Sequence, residues 1–502
     1  MHQPFRLNPI IIGLMLGMFL AAMDVTIVST AMPDVIQSLG GFSLFAWVFS
    51  LYTLTSATSV PIYGKLADLY GRKSIYLIGI GLFVTGSLFA GLAQNMFQLI
   101  LARGVQGLGA GSLFPMTSTI VGDLYTLEQR ASVQGYLASV WGIAAIMGPA
   151  LGGLIADHFH WRWIFLINIP FGLLSALVIF FFFHEKPRNR IRKLPIDYLG
   201  AISLTVLITA FLLLVLEGSR EGQWLKPANL VLSVLAFVSL IVFLAAEHSA
   251  KEPIIPFELF RNRLMLSSNL GSLVAGGLTV GVSTFIPAYA QGVWNASATA
   301  AGAVIAAMSI GWPLASTLSG KLMLRWGYRS VALIGMTLDT LAVTALLLVG
   351  PQTSLFYVAA AMLLLGAGLG LSTNSLLIAV QNSVGWTQRG TATASIMFMR
   401  SLGSTLLVAI LGAILNTSMT GYLSRFGVTV QQLPSRADLT NELLDPQRKA
   451  ELEPELLEAL ITSFTHSLHQ VFLWVALTSL IGIVIVLLLP KGRPEELDID
   501  RG

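Results

Sequence analysis

Gly64-Lys65-Leu66 followed by Gly71-Arg72-Lys73-Ser74 recurs 256 positions later as Gly320-Lys321-Leu322 followed by Gly327-Tyr328-Arg329-Ser330. Each copy is a short basic turn between two long apolar segments. The chain therefore carries an internal duplication of a membrane-embedded unit, and duplicated bundles are how many secondary transporters are built.

Composition supports that class. Of 502 residues, 55% are hydrophobic and 11% charged, with a mean hydropathy of +0.77. So much apolar surface has no room in a water-soluble core, whereas a bilayer solvates it directly, so the expectation is an all-α polytopic membrane protein. The absence of Cys excludes disulfides, thiolate metal sites and thiol chemistry. It does not assign a compartment.

Apolar runs of about 20 residues predict fourteen spans, at 9–31, 44–63, 75–94, 97–121, 132–156, 163–183, 197–216, 228–247, 266–289, 298–319, 330–349, 355–380, 392–416 and 468–489. The first run follows Arg6 but is too long for a signal peptide, carries Asp24 and leads straight into further spans, so it is kept as a helix. With a cytoplasmic N-terminus, most of the 29 Lys and Arg fall on the inside, among them Lys65, Arg72, Lys73, the cluster from Lys186 to Lys193, and Lys321, Arg325 and Arg329. The short outside loops hold only Arg162, Arg220 and Lys226. Both termini are thus expected in the cytoplasm. The pI of about 9.2 then reflects loops facing anionic lipid, and no nucleic acid is implied.

The two motif copies fall between spans two and three and between spans ten and eleven, and the Lys186–Lys193 cluster closes the sixth span. The spacing predicts a 6 + 2 + 6 layout: an N-terminal six-helix bundle over 1–186, two inserted linker helices over 187–258, and a C-terminal six-helix bundle over 259–502. Segment 417–467 is the one long loop and carries more acidic than basic residues. Its Leu443-Leu444 and Leu456-Leu457 to Ile461 groups read as short amphipathic helices on the outer face, serving as a cap or as a solvated spacer.

Four ordered motifs carry a family resemblance. Gly64-Lys-Leu-Ala-Asp68-Leu-Tyr-Gly71-Arg72-Lys73 resembles the loop 2–3 signature of the major facilitator superfamily. Met23-Asp24-Val-Thr26 through Pro33, Leu101-Ala-Arg103-Gly-Val-Gln106-Gly107-Leu-Gly109, and Gly142 through Gly148-Pro149-Ala-Leu-Gly152-Gly153 resemble the first-, fourth- and fifth-helix motifs of its fourteen-helix drug:proton antiporters, the QacA/EmrB type. Trp161 through Asn168-Ile-Pro170 and Met399-Arg400-Ser-Leu-Gly403 are similar to the same proteins. The resemblance implies the major facilitator fold and proton-driven multidrug efflux. It also implies that the loop 2–3 charges latch the cytoplasmic side and that Arg103 influences proton movement at a nearby carboxylate.

The residues also have readings of their own. A carboxylate in hydrocarbon is costly, so Asp24 is expected to face a wet cavity and carry the proton, the alternative being a neutral carboxyl bonded to helix backbone. Thr26 and Asn8 are placed to solvate it. Arg103 cannot readily lose its charge and needs an acceptor, either Asp24 or backbone carbonyls. Gly148 and Gly152 share a helix face where another backbone can approach, and Pro149 bends the helix, which predicts a close, deformable interface between the two halves. Asp68 is placed to accept from Arg72 or from a helix N-terminus. In the second copy Leu324 and Tyr328 stand where Asp68 and Arg72 would be, so the latch is expected to be one-sided.

Asp339 and Arg400 lie about 14 Å into their spans at 1.5 Å per residue, and pairing between them would ease both burials. Asp339 is thus a second proton-coupling candidate, with a packing role as the alternative. Thr26, Gln106, Trp141, Tyr289, Asn374, Phe398 and Arg400 are the expected lining of a substrate cavity suited to lipophilic cations, although interhelical packing accounts for such residues as well.

No nucleophile with its base, metal-ligand cluster or Walker-type loop occurs in the sequence, which argues against an enzyme and against ATP drive, and no cofactor is expected. The expected function is proton-coupled export of amphipathic drugs, dyes or biocides by a monomer in the cell membrane, with small substrates, protons and lipids as partners. The alternatives are export of one endogenous metabolite, such as a siderophore or self-made antibiotic, and, more remotely, a membrane sensor or lipid-handling protein.

Overall fold

The computed structural model describes residues 8–40, 44–185, 197–221, 226–294, 296, 298–350, 352–426 and 454–491. Among these there is no strand. The helices are α1 (Pro9–Leu39), α2 (Phe45–Tyr70), α3 (Arg72–Gly91), α4 (Met96–Leu124), α5 (Leu127–His158), α6 (Trp163–Leu166), α7 (Asn168–Phe182), α8 (Tyr198–Glu221), α9 (Pro227–Ser249), α10 (Phe257–Arg261), α11 (Arg263–Gly292), α12 (Ala298–Leu346), α13 (Leu355–Asn382), α14 (Arg389–Leu423) and α15 (Pro454–Leu487). Helix starts use side-chain caps that meet otherwise unpaired amide groups. Asn8 accepts from the Ile10 amide at 3.2 Å ahead of Pro9, Asn95 from Gln98 at 2.9 Å, and Asn262 from Leu264 at 2.9 Å. Asn8 is therefore engaged in capping α1 and does not solvate Asp24.

Ten helical stretches among the described residues are long and apolar enough to cross a membrane by length and composition. The expected spans within α2, α4 and α5 are long but less apolar, because Ser and Thr residues in α2 and the polar and glycine-rich motifs in α4 and α5 interrupt their apolar runs. The expected spans 298–319 and 330–349 run together as α12, whose single non-helical residue is Gly327. The last helix begins at Pro454, so Leu456, Leu457 and Ile461 belong to its first turns and form no separate amphipathic helix. Leu443-Leu444 lies outside the described residues, as does the Lys186–Lys193 cluster.

The duplication is visible in the backbone. Gly71 (φ 96°, ψ 147°) and Gly327 (φ 80°, ψ 164°) occupy equivalent places in the two motif copies, and both take a conformation that a Cβ disfavours. Just beyond each turn a glycine pair brings two helices together: Gly79 of α3 against Gly109 of α4, and Gly335 of α12 against Gly368 of α13. Apolar packing divides along the chain. Two clusters draw on α1–α7, one on α11–α15, and a small one joins Leu54 and Ala57 of α2 to Leu204, Ile208 and Leu212 of α8 and Phe243 of α9.

Gly71→Ala and Gly327→Ala are each expected to destabilise the fold by about 1 kcal/mol or more. The loss should be greater at Gly71, where the added carbon would also meet the Glu185 carboxylate. Thermal unfolding in detergent measures both, with Gly302→Ala, in open helical space, as the near-neutral control.

Candidate functional site

Asp24 of α1 is 0% exposed and Arg103 of α4 is 1% exposed. Asp24 lies about 22 Å along α1 at 1.5 Å rise per residue, and α4 starts from the opposite face, so the two meet in depth. Arg103 Nη1 donates to Asp24 Oδ2 in an ion pair. Gln106, one turn further along α4, ties both together: its Oε1 accepts from Arg103 Nη1 at 2.6 Å, and its Nε2 donates to Asp24 Oδ1 at 2.8 Å and Ser87 Oγ at 3.1 Å. Asn168, at the start of α7, donates from Nδ2 to Asp24 Oδ1 at 3.3 Å and to Ser87 Oγ at 2.8 Å. Ser87 passes its own hydrogen to the Phe165 carbonyl at 2.9 Å. The guanidinium also donates from Nε to the Val48 carbonyl at 3.3 Å and lies 4.1 Å from the Tyr52 ring centre. Six helices thus converge on one compensated charge pair. Without such partners a buried charge of either sign would be prohibitive.

A second cluster sits at the face where α2 ends and α3 begins. Asp68 Oδ1 accepts from Arg72 Nη2 at 3.0 Å and from the Gly390 amide at 2.9 Å, while Oδ2 accepts from the Thr391 amide at 2.6 Å and its hydroxyl at 2.8 Å. Both acceptor roles expected of Asp68 are therefore present, the second at the N-terminus of α14, where helix amides and dipole favour an anion. Arg72 also pairs through Nε with Asp123 of α4 at 3.1 Å, and Arg389 pairs with the same carboxylate at 2.8 Å. The Arg72 guanidinium lies 3.9 Å from the Trp386 ring centre. Glu185 accepts from the Arg72 amide at 2.6 Å, Lys73 donates to the Phe180 carbonyl at 2.7 Å, and Lys65 pairs with Glu252 at 2.7 Å. Gly64 is the point at which α2 lies against Gly390, Thr391 and Ala394 of α14. The second motif copy has a counterpart in which an amide stands in place of the carboxylate: Asn382 donates to the Tyr328 hydroxyl at 2.7 Å and accepts from Arg130.

Several expectations are corrected. Gly148 and Gly152 face Thr26, Ile27 and Thr30 of α1, in the same half of the chain, because Thr26 and Thr30 turn their hydroxyls onto their own helix backbone and leave a shallow surface for α5. Of the fifth-helix motif glycines, Gly142 faces the other half, at Ser309 of α12, as Gly135 earlier in α5 does at Thr317. Gly153 meets nothing within 4 Å, and the Pro149 side chain lies outside the described residues. Thr26 donates to the Met23 and Ala144 carbonyls, so its hydrogen is not given to Asp24. Asp339 makes no pair with Arg400: it is fully buried, its Oδ2 accepts from Ser372 at 3.3 Å, and its Oδ1 has no partner among the described residues. The Arg400 chain instead packs against Gly276 of α11.

The residues expected to line a cavity have these neighbours. Gln106 belongs to the Asp24 cluster. Asn374 donates to the Ser316 carbonyl at 2.9 Å and Ser319 Oγ at 2.6 Å, Tyr289 is buried edge-on to Trp294 at 4.8 Å, and Phe398 packs on the α2–α8 cluster. Trp141 stacks on Phe114 at 5.2 Å and is half-exposed. Sequence reading missed Ser87, Asp123, Arg389 and Glu185 as site residues, and quoted Asn168 without a role. A polar residue inside an apolar run was the available signal for Ser87 and Asn168. The charges at the ends of α4 and α14 carried no signal of which partner they would find.

The Major Facilitator Superfamily model matches residues 14–408. The chain is 33% identical over 490 residues to Multidrug resistance protein 3 of Bacillus subtilis (strain 168), covering 96% of this chain and 95% of that one. It is 34% identical over 502 residues to the Multidrug transporter protein MdtP of the same organism, covering 96% and 92%. The crystal structure of the human organic anion transporter MFSD10 superposes with a TM-score of 0.60 at 13% identity, over 95% of this chain and all of that one, and so shares the fold. The apolar helices, the duplicated turn and these matches lead to one conclusion: this multi-pass membrane protein belongs to the major facilitator superfamily, a family of transporters and not of enzymes.

Proposed function

We propose that the protein is a proton-coupled antiporter of the cell membrane that exports amphipathic drug-like compounds by alternating access. The observation that carries this reading is the buried Asp24–Arg103 pair, a carboxylate held among polar groups in the one half of the chain and nearer the face opposite the basic turns. In the proposed cycle an external proton neutralises Asp24, Arg103 loses its counter-ion, and the rearranged α1–α4 contact biases the halves toward the other access state. Release of the proton inside restores the pair. Binding free energy can shift such an equilibrium only through contacts that differ between the states, and the pair supplies one. The multidrug names of the Bacillus subtilis relatives support the substrate class.

The layout proposed is fourteen spans, counting α12 as two about Gly327 and α6 with α7 as one. The bundles are 1–186 and 259–502, the linker helices lie within 187–258, both termini are cytoplasmic, and the working unit is a monomer. The Asp68 cluster is then the cytoplasmic latch. It joins α2 and α4 to the start of α14, on the same side as the contacts of Gly135 with Thr317 and Gln381 with the Ser118 carbonyl. On this reading the interlocking contacts hold that face closed.

Asp24→Asn keeps size and hydrogen bonding but cannot titrate, so substrate should still bind while accumulation driven by a pH gradient fails. Affinity of purified protein for a dye such as ethidium, measured together with pH-gradient-driven flux in proteoliposomes, tests this; undiminished coupled flux would move the proton site elsewhere.

Asp68→Asn removes one charge-assisted acceptor from Arg72 and the α14 N-terminus. Such bonds contribute about 1.5–3 kcal/mol each, so efflux should slow about tenfold or more with substrate affinity nearly unchanged. Leu324→Asn, in the second motif copy, should have a far milder effect.

Gly148→Val places bulk where Thr26 lies against α5. Overpacking of about 1–3 kcal/mol should reduce flux more than it reduces expression, and normal flux in both Gly148→Val and Gly152→Val would show that α1 and α5 need not stay close.

A further inference from the structure

We propose that Asn168 is the positioning residue for the proton on Asp24: its amide donates to the carboxylate in the ionised state, and turns its carbonyl oxygen toward the acid O–H once Asp24 is protonated. This rests on the reading of Asp24 as the proton carrier.

Asn168 is 0% exposed, and its orientation follows from its neighbours. Nδ2 lies between two acceptors, Asp24 Oδ1 and Ser87 Oγ, and Ser87 has no hydrogen to offer in return because it gives it to the Phe165 carbonyl. That leaves Asn168 Oδ1 buried with no partner among the described residues. An acceptor stranded in this way is costly to bury. It has a use if another state of the same site employs it.

Protonation of Asp24 creates that state. The carboxylate already has stronger donors than Asn168, namely Arg103 and Gln106 Nε2 at 2.8 Å, against 3.3 Å from Asn168. A carboxylic acid is itself a donor and needs an acceptor nearby. The Gln106 oxygen is occupied by Arg103, and Ser87 Oγ already receives two N–H groups. Asn168 Oδ1 is the unused oxygen. A half-turn of the amide exchanges its oxygen and nitrogen, and the terminal torsion of Asn is soft and roughly two-fold. The turn gives up the Nδ2 bond to Ser87 Oγ, which keeps its donor from Gln106, and in exchange the acid O–H gains its acceptor. Arg103 of α4 and Tyr52 of α2 are the charged and titratable groups facing the carboxylate. Helix α3 contributes Ser87, α6 the Phe165 carbonyl, and α5 meets α1 through glycines. Helix α7 contains no titratable residue.

The test is pH-difference infrared spectroscopy of the full-length protein in lipid, which follows the carboxylic acid band that Asp24→Asn abolishes. Asn168→Leu removes the acceptor and only the longest of the carboxylate's donors, so the midpoint of that band should move to lower pH by about half to one unit, the size of one hydrogen bond. Asn168→Asp places a second carboxyl beside the first, and repulsion between two anions should move the upper midpoint of the pair to higher pH by about one unit or more. The upward shift places position 168 within electrostatic reach of Asp24, and the downward shift in Asn168→Leu is the one that reports the lost acceptor, which a merely structural role would not give. If both midpoints stay where the wild-type protein has them, the proposal is overturned and Asp24 remains the carrier. If no Asp24 band titrates between about pH 4 and 9, both readings are overturned together. Should neither variant fold, the wild-type acid band decides: a carbonyl stretch typical of a donating acid supports the contact, and that of a free acid overturns it.

Discussion

The constraint on which the rest depends is that a charge inside an apolar bundle must be compensated where it sits. Asp24 and Arg103 satisfy it together. Their mutual attraction alone would not offset desolvation, so Gln106, Ser87, Asn168, Tyr52 and the Val48 carbonyl are gathered around them. This fixes more than one side chain. Gln106 must stand one turn from Arg103, α3 must present Ser87, and α7 must begin at Asn168. Neutralising one member alone leaves the other buried and unpaired, which is what makes the site suited to respond to a single proton.

The two halves repeat backbone geometry more faithfully than they repeat charge. Gly71 and Gly327 share their conformation, and Gly79–Gly109 and Gly335–Gly368 share a helix contact. Arg72, Asp123 and Arg389 form a charged set across the halves, and Tyr328, Asn382 and Arg130 form its counterpart with the places of the halves exchanged. In the counterpart an amide replaces the carboxylate and a phenol replaces one guanidinium. The Arg130–Asn382 contact is a cation–amide hydrogen bond where Arg389 and Asp123 form an ion pair, so it lacks the attraction between opposite charges. The asymmetry expected from Leu324 and Tyr328 therefore resides in the strength of the second contact and not in its absence.

Legibility in the sequence followed the range of the interaction. The duplication, the helical class and the acceptor roles of Asp68 were readable because each depends on local pattern or on neighbours along one chain segment. The Asp24–Arg103 contact was readable as a need for an acceptor, with two answers left open. Where a helix face had to find its partner, sequence reasoning failed. Gly148 and Gly152 announce a close approach without naming α1, Asp339 and Arg400 match in depth but face different neighbours, and Thr26 satisfies its hydroxyl on its own backbone. Depth along a helix can be counted from a sequence, whereas rotation about its axis is set by packing.

The two charged clusters are carried by the same pair of helices. Helix α2 brings Val48 and Tyr52 to the Asp24 site and Gly64 and Asp68 to the other face. Helix α4 brings Arg103 and Gln106 to the first and Asp123 to the second. Arg103 and Asp123 are about 30 Å apart along α4 at 1.5 Å per residue, far beyond any direct contact. A mechanical link is available instead. Each helix holds a proline between its two ends, Pro61 in α2 and Pro115 in α4, where one backbone hydrogen bond is missing and bending is eased. On the proposed reading, a shift of Arg103 when Asp24 is neutralised would act on Asp123 and Asp68 through these two helices, so the hinge at each proline sets how much of the motion at one face reaches the other.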